Sequence, residues 1–504
     1  MKLEQRARET PGKPACIVPG ERALTYGELH ARSAQLANHL RASGLGQGDA
    51  MAILLENRAE YLVALWGAHR AGVSFVPINT RLKLAEVDYI LDDSRAVALF
   101  ASSATRELID RLTPRAELAV RVSVDDDLPG FRALDDVFVV QPATRPAGVT
   151  PGRDLMYSSG TTGRPKAVDT AISGDLDQVM AQLYAVTADD VYLSPAPMYH
   201  TAPSRTMFAM TQMGVTTVLM PRFDAREFLD LVERHRVTIT QVVPTMFVRM
   251  LRLPDRVRAG ADISSLRAVL HNAAPCPILV KEQMIDWFGP ILYESYAATE
   301  GHGYTFCDSH DWLSHRGTVG RASLGTIHIV SDDGDELPPG QVGTVYFGGG
   351  FPFSYRNEPD KTAGTRDPRG WATVGDVGYV DEEGYLYLTD RKANMIICGG
   401  VNVYPQETEN VLVSHPAVVD AAVFGIPDSD LGEVVKAVVQ LVDPLAAGPD
   451  LAAELLDHCR EQLASIKCPR SIDFSDELPR EPNGKLLKRL LRDPYWESHP
   501  RPAS

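Results

Sequence analysis

Between Met51 and Ile78 the chain reads strand, helix, strand with very short connections. Met51-Ala-Ile-Leu-Leu is an unbroken apolar run, Tyr61 to Ala71 has helical spacing, and Gly72-Val-Ser-Phe-Val-Pro-Ile returns to a strand pattern. Two such strands with a helix between them form a βαβ unit, the building block of a parallel sheet covered by helices on both faces. The alternation recurs at Val191–Leu193, Phe228–His235 and Ile239–Val243. Upstream, Leu24 to Ser43 places Leu29, Leu36 and Leu40 on one helical face, with Thr25 as the N-cap.

Beyond Ile327 the texture changes to short strands broken by Asp333-Gly334, Pro338-Pro339-Gly340 and Glu383-Gly384, which predicts a β-rich subdomain. From Pro405 the pattern predicts a helix (Glu407–Ser414), two strands (Val418–Phe424, Val434–Leu441) and a helix (Leu451–Leu463), a small α+β unit. The 504 residues are too many for one ordinary core, since ~150 residues per domain is typical. The expected fold is α/β. A large N-terminal domain of αβ-layered subdomains plus the β-rich subdomain spans residues 1–392, and a small mobile α+β C-terminal domain spans 393–504.

Composition narrows the function. With 44% apolar and 23% charged residues, order is expected nearly throughout. A formal charge of −16 offers no basic field for a phosphate backbone, so nucleic acid is not an expected partner. Met1 to Arg6 is charged and leads into no apolar core of a signal peptide, and no apolar run is long enough for a transmembrane segment. The six cysteines, Cys16, Cys276, Cys307, Cys398, Cys459 and Cys468, have neither disulfide-framework nor zinc spacing, which fits a reducing cytoplasm. Neither GxSxG nor HExxH occurs, so serine-hydrolase and zincin chemistry have no basis.

The strongest local signal is Tyr157-Ser158-Ser159-Gly160-Thr161-Thr162-Gly163-Arg164-Pro165-Lys166. Glycines allow close backbone approach, hydroxyls and amides wrap an anion, and Arg or Lys adds charge, so the loop suits a polyphosphate. It is not a Walker A loop, because Gly160 and Gly163 are too close and no Ser or Thr follows Lys166. By composition alone it is equally a solvated turn.

This stretch resembles the phosphate loop of the adenylate-forming superfamily: acyl-CoA synthetases, adenylation domains and luciferases. Four further segments match that family in order. Tyr293-Glu-Ser-Tyr-Ala-Ala-Thr299-Glu300 is similar to its Y-G-x-T-E element, and Gly370-Trp-Ala-Thr-Val-Gly375-Asp376 to its T-G-D element. Asp390-Arg391 with Gly399-Gly400-Val-Asn-Val-Tyr-Pro-Gln-Glu407 resembles its hinge and glycine loop, and Pro479-Arg-Glu-Pro-Asn-Gly484-Lys485 its C-terminal lysine motif.

The resemblance implies a ligase that joins a carboxylic acid to coenzyme A through an acyl-adenylate, using ATP and Mg²⁺. It assigns nucleotide contacts to Ser158, Ser159, Gly160, Thr161, Thr162, Gly163, Lys166, Asn272, Ala273, Ala274, Pro275, Glu294, Ser295, Tyr296, Ala297, Asp376 and Arg391. A carboxylate at Asp376 and the Arg391 guanidinium suit a ribose diol. Thr162 and Glu300, beside Thr299, offer hard oxygen ligands to Mg²⁺. Lys485 would bridge the acid and the α-phosphate; the bland reading places it with Lys488, Arg489 and Arg492 on a solvated helix face.

His200 matches an aromatic or His gate between acyl pocket and thiol channel, with Gly399 and Gly400 further along the channel. Met198, Val243, Met246 and Ala298 would line an apolar pocket for an aliphatic, alicyclic or aromatic acid; for Val243 and Met246 plain core is an alternative reading. Three positions depart from the family pattern: Ala393 at the usual hinge residue, and Ala167 and Ala297 where glycine is common. Homodimers are frequent in the family, which extends that expectation here. Two other readings stay open: a freestanding enzyme that loads an acyl group onto a carrier protein, and a nucleotide-binding homologue without catalysis.

Overall fold

The computed structural model describes residues 2–113, 118–125, 128–158, 165–170, 176–391, 394–480 and 486–497, without the side chain of Arg391. The described residues form five sheets. The largest has nine strands, with Pro14–Ile17, Thr216–Leu219, Val191–Ser194, Ile239–Val242, Ala268–His271 and Leu292–Ala297 running parallel through its middle. The helices Thr201–Met213, Ala225–His235, Pro244–Leu251 and Ile278–Phe288 connect these strands and cover the sheet. All four residues of Ile239–Val242 and of Ala268–His271 are buried, as expected of strands sandwiched between helices.

The unit foreseen from Met51 to Ile78 belongs to a second, wholly parallel sheet: Ser74–Pro77, Ala50–Leu54, Ala96–Ala101, Val120–Ser123 and Arg132–Ala133. Its helix, Glu60–Ala71, stops at Gly72, whose φ of 78° is easily adopted only without a Cβ. The helix foreseen behind Thr25 runs Tyr26–Ala42, and its Thr25/Glu28 capping box satisfies two backbone donors reciprocally. Trp66 joins the two sheets' cores: its ring stacks on Phe208 at 4.2 Å and its Nε1 donates to Thr211 Oγ1 at 2.9 Å. Truncating a buried aromatic of this size costs about 3–5 kcal/mol.

The β-rich part is an antiparallel sheet of Thr326–Val330, Gly343–Gly348, Asp376–Val380 and Leu386–Arg391. A smaller sheet pairs Met156–Ser158 with Lys166–Thr170, and the latter with Phe353–Tyr355 from far along the chain. The last sheet packs Ile396–Cys398, Val401–Val403, Val418–Asp428, Gly432–Leu441 and Ser471–Phe474 against the helices Pro405–Ser414 and Pro449–Gln462 around a core of its own. Among the described residues, no helix is long and apolar enough to cross a membrane.

Candidate active site

In an open parallel sheet the loops leaving the carboxyl ends of the strands share one rim, where ligands bind. Four neighbouring strands of the nine-stranded sheet supply that rim: Val191–Ser194, Ile239–Val242, Ala268–His271 and Leu292–Ala297. They lead respectively to Met198 and His200, to Val243 and Met246, to Asn272–Pro275, and to Ala298–Glu300. The topology thus gathers candidates separated by a hundred residues of chain.

The loop before His200 is fixed by Asn57. This buried amide donates to Ala196 O at 3.0 Å and Met220 O at 2.9 Å, while its Oδ1 accepts from Met198 N at 2.8 Å. His200 then caps the helix Thr201–Met213 with extended backbone. Burial lowers its imidazole to about 4, so it is neutral near pH 7. Met198, Val243 and Met246 are buried within the hydrophobic cores, whereas Ala298 is half-buried.

Glu300 is buried, and Tyr355 Oη donates to its Oε1 at 2.8 Å. Tyr355 lies on the strand paired with Lys166–Thr170, and Lys166 Nζ stands 5.1 Å from its ring centroid. Partial burial and the nearby Lys361 lower Lys166 below the usual ammonium range, with Glu300 and Glu358 opposing. Strand pairing therefore brings a carboxylate, a phenol and an ammonium to the foot of the Ser158–Lys166 hairpin.

Asp376 is also buried, accepting from Tyr296 Oη at 2.6 Å. Its backbone stands opposite Arg391 in the antiparallel register, so the two proposed ribose residues occupy adjacent strands. His302 is close by, buried against Phe347, and desolvation lowers it to about 4 even though Asp376 pulls the other way.

The strand Leu292–Ala297 alternates, and only part of it faces this group. Tyr296 reaches Asp376, whereas Ser295 on the opposite face bonds with the Tyr184–Tyr304 pair. The Glu294 carboxylate turns inward, 2.5 Å from the fully buried Lys281 Nζ and 3.6 Å from His271 Nε2. Desolvation raises Glu294 despite that partner, and lowers His271 well below its ordinary value. Any nucleotide contact at Glu294 is thus left to its backbone, because its side chain is committed to the core. Ala273 adopts φ 71°, a conformation that costs a Cβ-bearing residue strain and sharpens the turn Asn272–Pro275.

On the C-terminal sheet, Gly399 and Gly400 have φ of 56° and 81° and close the hairpin between Ile396–Cys398 and Val401–Val403. Two consecutive positive φ values define the mirror-image turn that favours glycine. Asp390 bonds to residues beyond the expected boundary: Asn394 Nδ2 donates to it at 2.9 Å and Gln406 N at 3.2 Å. Lys488 Nζ lies 2.8 Å from Glu409 and 3.7 Å from Asp390. Burial alone would lower Lys488, but Glu409 and Asp390 outweigh it and raise the group. Lys488 is therefore no part of a solvated face.

Ser159, Gly160, Thr161, Thr162, Gly163 and Lys485 lie outside the described residues. The flanks of the lysine segment are described: Arg480 pairs with Leu486 in an antiparallel bridge, and its guanidinium forks onto Asp420 at 2.6 and 2.7 Å.

The sequence profile of the AMP-binding enzyme family matches residues 3–354, and that of the AMP-binding enzyme C-terminal domain matches residues 407–485. The chain belongs to the AMP-binding enzyme family. It is 34% identical to the long-chain-fatty-acid–CoA ligase FadD13 of Mycobacterium tuberculosis over 99% of each chain. It is 37% identical to the feruloyl-CoA synthase of an Amycolatopsis species over 97% of each. The solved structure of o-succinylbenzoate CoA synthetase (MenE) from Bacillus subtilis, in complex with its acyl-adenylate intermediate, superposes with a TM-score of 0.81 at 30% identity, covering 98% of each chain. This AMP-binding enzyme is an acid–thiol ligase of the adenylate-forming superfamily.

Three site-forming residues of this AMP-binding enzyme act through long-range bonds, and two of them, Asn57 and Tyr355, have no signature in its sequence. Asn57, Tyr355 and Asp376's partner Tyr296 act through hydrogen bonds to residues 139, 55 and 80 positions away. Only Tyr296 stood within a recognisable segment. Among the described residues, no group of three or more His, Cys, Asp or Glu can hold a metal. One carboxylate oxygen of Glu300 beyond the Tyr355 bond, supplemented by phosphate oxygens, still fits Mg²⁺, which typically takes one or two carboxylates and keeps its other positions for water and phosphate.

Proposed function

We propose that the enzyme condenses a carboxylic acid with ATP to give an acyl-adenylate and pyrophosphate, then passes the acyl group to the thiol of coenzyme A. The observation that carries this reading is the convergence of Glu300–Tyr355–Lys166 and Asp376–Tyr296 on the rim that also receives His200. In the first step a carboxylate oxygen attacks the α-phosphorus, and the bond from that phosphorus to the β-bridging oxygen breaks. Asp376 and Arg391 hold the ribose; Asn272–Pro275 and the backbone around Glu294–Ala297 flank the base. Ser158–Gly163 and Lys166 cradle the phosphates. Mg²⁺, held by Glu300 and Thr162, would neutralise phosphate charge. Lys485 bridges acid and α-phosphate, stabilising charge that develops as the two anions meet.

In the second step the thiol sulfur attacks the acyl carbonyl, loses its proton to solvent, and AMP departs with the bonding pair. His200, neutral by burial, serves as a gate and not as a cation. Gly399 and Gly400 give the pantetheine arm a backbone path once the unit beginning near residue 393 has rotated. The buried Met198, Val243 and Met246 support an apolar acid, aliphatic, alicyclic or aromatic. The smaller unit as a mobile domain, a homodimer and a cytoplasmic location complete the reading.

A carrier protein is the second candidate acceptor, since a fatty acid–[acyl-carrier-protein] ligase, ScoC of Streptomyces coeruleorubidus, is 33% identical over 97% of this chain. Pyrophosphate release across an acid panel, followed by thioester formation with CoA or a phosphopantetheinylated carrier, identifies both substrates. Lys485→Ala should abolish acid-dependent pyrophosphate release and spare thioester formation from a supplied acyl-adenylate. Wild-type adenylation by that variant would refute the mechanism.

A further inference from the structure

Arg205 has no place in the reaction just described, yet its side chain is almost wholly buried beside it. Its Nε donates to Asp154 Oδ2 at 2.7 Å, with the two side chains 9% and 1% exposed, and its Nη1 donates to Thr299 O at 3.3 Å. Arg205 sits one turn into the helix Thr201–Met213, whose N-cap is His200. Asp154 bridges to Phe75 of the wholly parallel sheet and leads directly into Met156–Ser158, the strand before the phosphate loop. Thr299 immediately precedes Glu300, and its hydroxyl is 3.2 Å from that of Thr201. One guanidinium therefore joins the phosphate hairpin, the helix behind the gate and the turn that carries Glu300.

We propose that Arg205 is a positioning residue for the Thr299–Glu300 turn, holding the Glu300 carboxylate where the metal and the α-phosphate are handled. The inference rests on the adenylation reading above. The geometry explains why arginine is needed. A planar guanidinium presents Nε and Nη1 in a fixed fork, so it can serve the Asp154 carboxylate and the Thr299 carbonyl together; an ammonium is a single point charge. Asp154 supplies the anchor. With Nε held by it, the contact from Nη1 to Thr299 is directional, and Thr201 pins the side chain of the same residue. Tyr355 then fixes one carboxylate oxygen of Glu300 and leaves the other outside that bond. A cavity of about 20 Å³ lined by Asp154, Asp177, Arg205 and Phe208 adjoins the pair.

The test compares the full-length wild-type enzyme with Arg205→Lys, Arg205→Met and Glu300→Gln. Three quantities are read: the unfolding midpoint, acid-dependent ATP–pyrophosphate exchange as a function of Mg²⁺ concentration, and thioester formation from a supplied acyl-adenylate and CoA. Arg205→Lys keeps a charge for Asp154 but gives up the fork. It should unfold near the wild-type midpoint and exchange more slowly by about 10- to 100-fold, the effect of misplacing a reacting group by about an ångström. It should also require more Mg²⁺ for half-maximal exchange, with the acid KM and the thioester step close to wild type. Arg205→Met should slow exchange further.

Arg205→Lys with wild-type exchange and Mg²⁺ dependence, beside an inactive Glu300→Gln, overturns the positioning role alone. So does a parallel fall of both half-reactions that tracks a lowered midpoint, since that is the mark of general destabilisation. Glu300→Gln exchanging at the wild-type rate removes Glu300 from the metal site and this proposal with it, whereas a wild-type enzyme without acid-dependent exchange removes the adenylation reading itself.

Discussion

Replacing Lys281 with methionine keeps much of the side-chain volume and removes one charge from the interior. Lys281 is fully buried, 2.5 Å from Glu294 Oε2 and 4.7 Å above the ring of Trp312. Breaking a buried pair by deleting one partner costs about 3–5 kcal/mol, because the survivor is left as an uncompensated charge. Glu294 can escape that state by taking a proton, and the cost of doing so sets a ceiling. From an unfolded pKa of about 4.3, at 1.36 kcal/mol per unit, neutralisation costs about 5 kcal/mol at pH 8 and about 1.6 kcal/mol at pH 5.5. The folded carboxyl is already raised by desolvation, and losing Lys281 raises it further. A carboxyl raised in the folded state favours folding most below its unfolded pKa and loses that contribution as pH rises. The variant's deficit should therefore grow from about 1–2 kcal/mol at pH 5.5 to about 3–5 kcal/mol at pH 8.

Urea unfolding of wild type and Lys281→Met at the two pH values, followed by tryptophan fluorescence, measures the difference, with Trp312 placed to report on the altered site. A deficit equal at both pH values, or below about 1 kcal/mol at pH 8, would show that the pair is not the buried charge couple described.

Tyr296→Phe removes the hydroxyl that donates to Asp376 Oδ2. A hydrogen bond to a charged group is worth about 1.5–3 kcal/mol, so the ATP KM in pyrophosphate exchange should rise at least about tenfold; an unchanged KM would detach Asp376 from the nucleotide. Gly400→Val puts a β-branched residue at φ 81° in an exposed hairpin turn, at a cost of about 1–3 kcal/mol. It should slow thioester formation from acyl-adenylate and leave adenylation intact, and equal loss of both steps would exclude a role confined to the thiol channel.

The local grammar of this fold is legible where its signals are contiguous in the chain. The βαβ unit at Met51–Ile78 and the capped helix behind Thr25 announce themselves because strand burial, helix spacing and capping all operate within a few residues. The glycine loop at Gly399–Gly400 proves to close a hairpin not foreseen in the sequence, although two glycines in succession match a turn that needs two positive φ values. Long-range pairings are silent. Nothing near Phe353–Tyr355 indicates Lys166–Thr170 as its partner strand, so Tyr355 could not be connected to Glu300. Nor does a segment that resembles a family element declare which side chains turn inward. Glu294 and Tyr296 share a face of their strand, yet Lys281 draws one carboxylate into the core while Tyr296 reaches Asp376. Lys488, which only the bland reading of Lys485 placed on a solvated face, is an interior cation held by Glu409.

The register that sets Asp376 opposite Arg391 also determines how far the proposed gripping point for the sugar would stand from the proposed pivot. Arg391 ends its strand, and the chain passes almost at once into the segment that would swing. On the proposed mechanism, a sugar gripped by Asp376 and Arg391 would rest against the axle and not out along the arm, so a small shift in the sugar would have great leverage on the orientation of the smaller lobe.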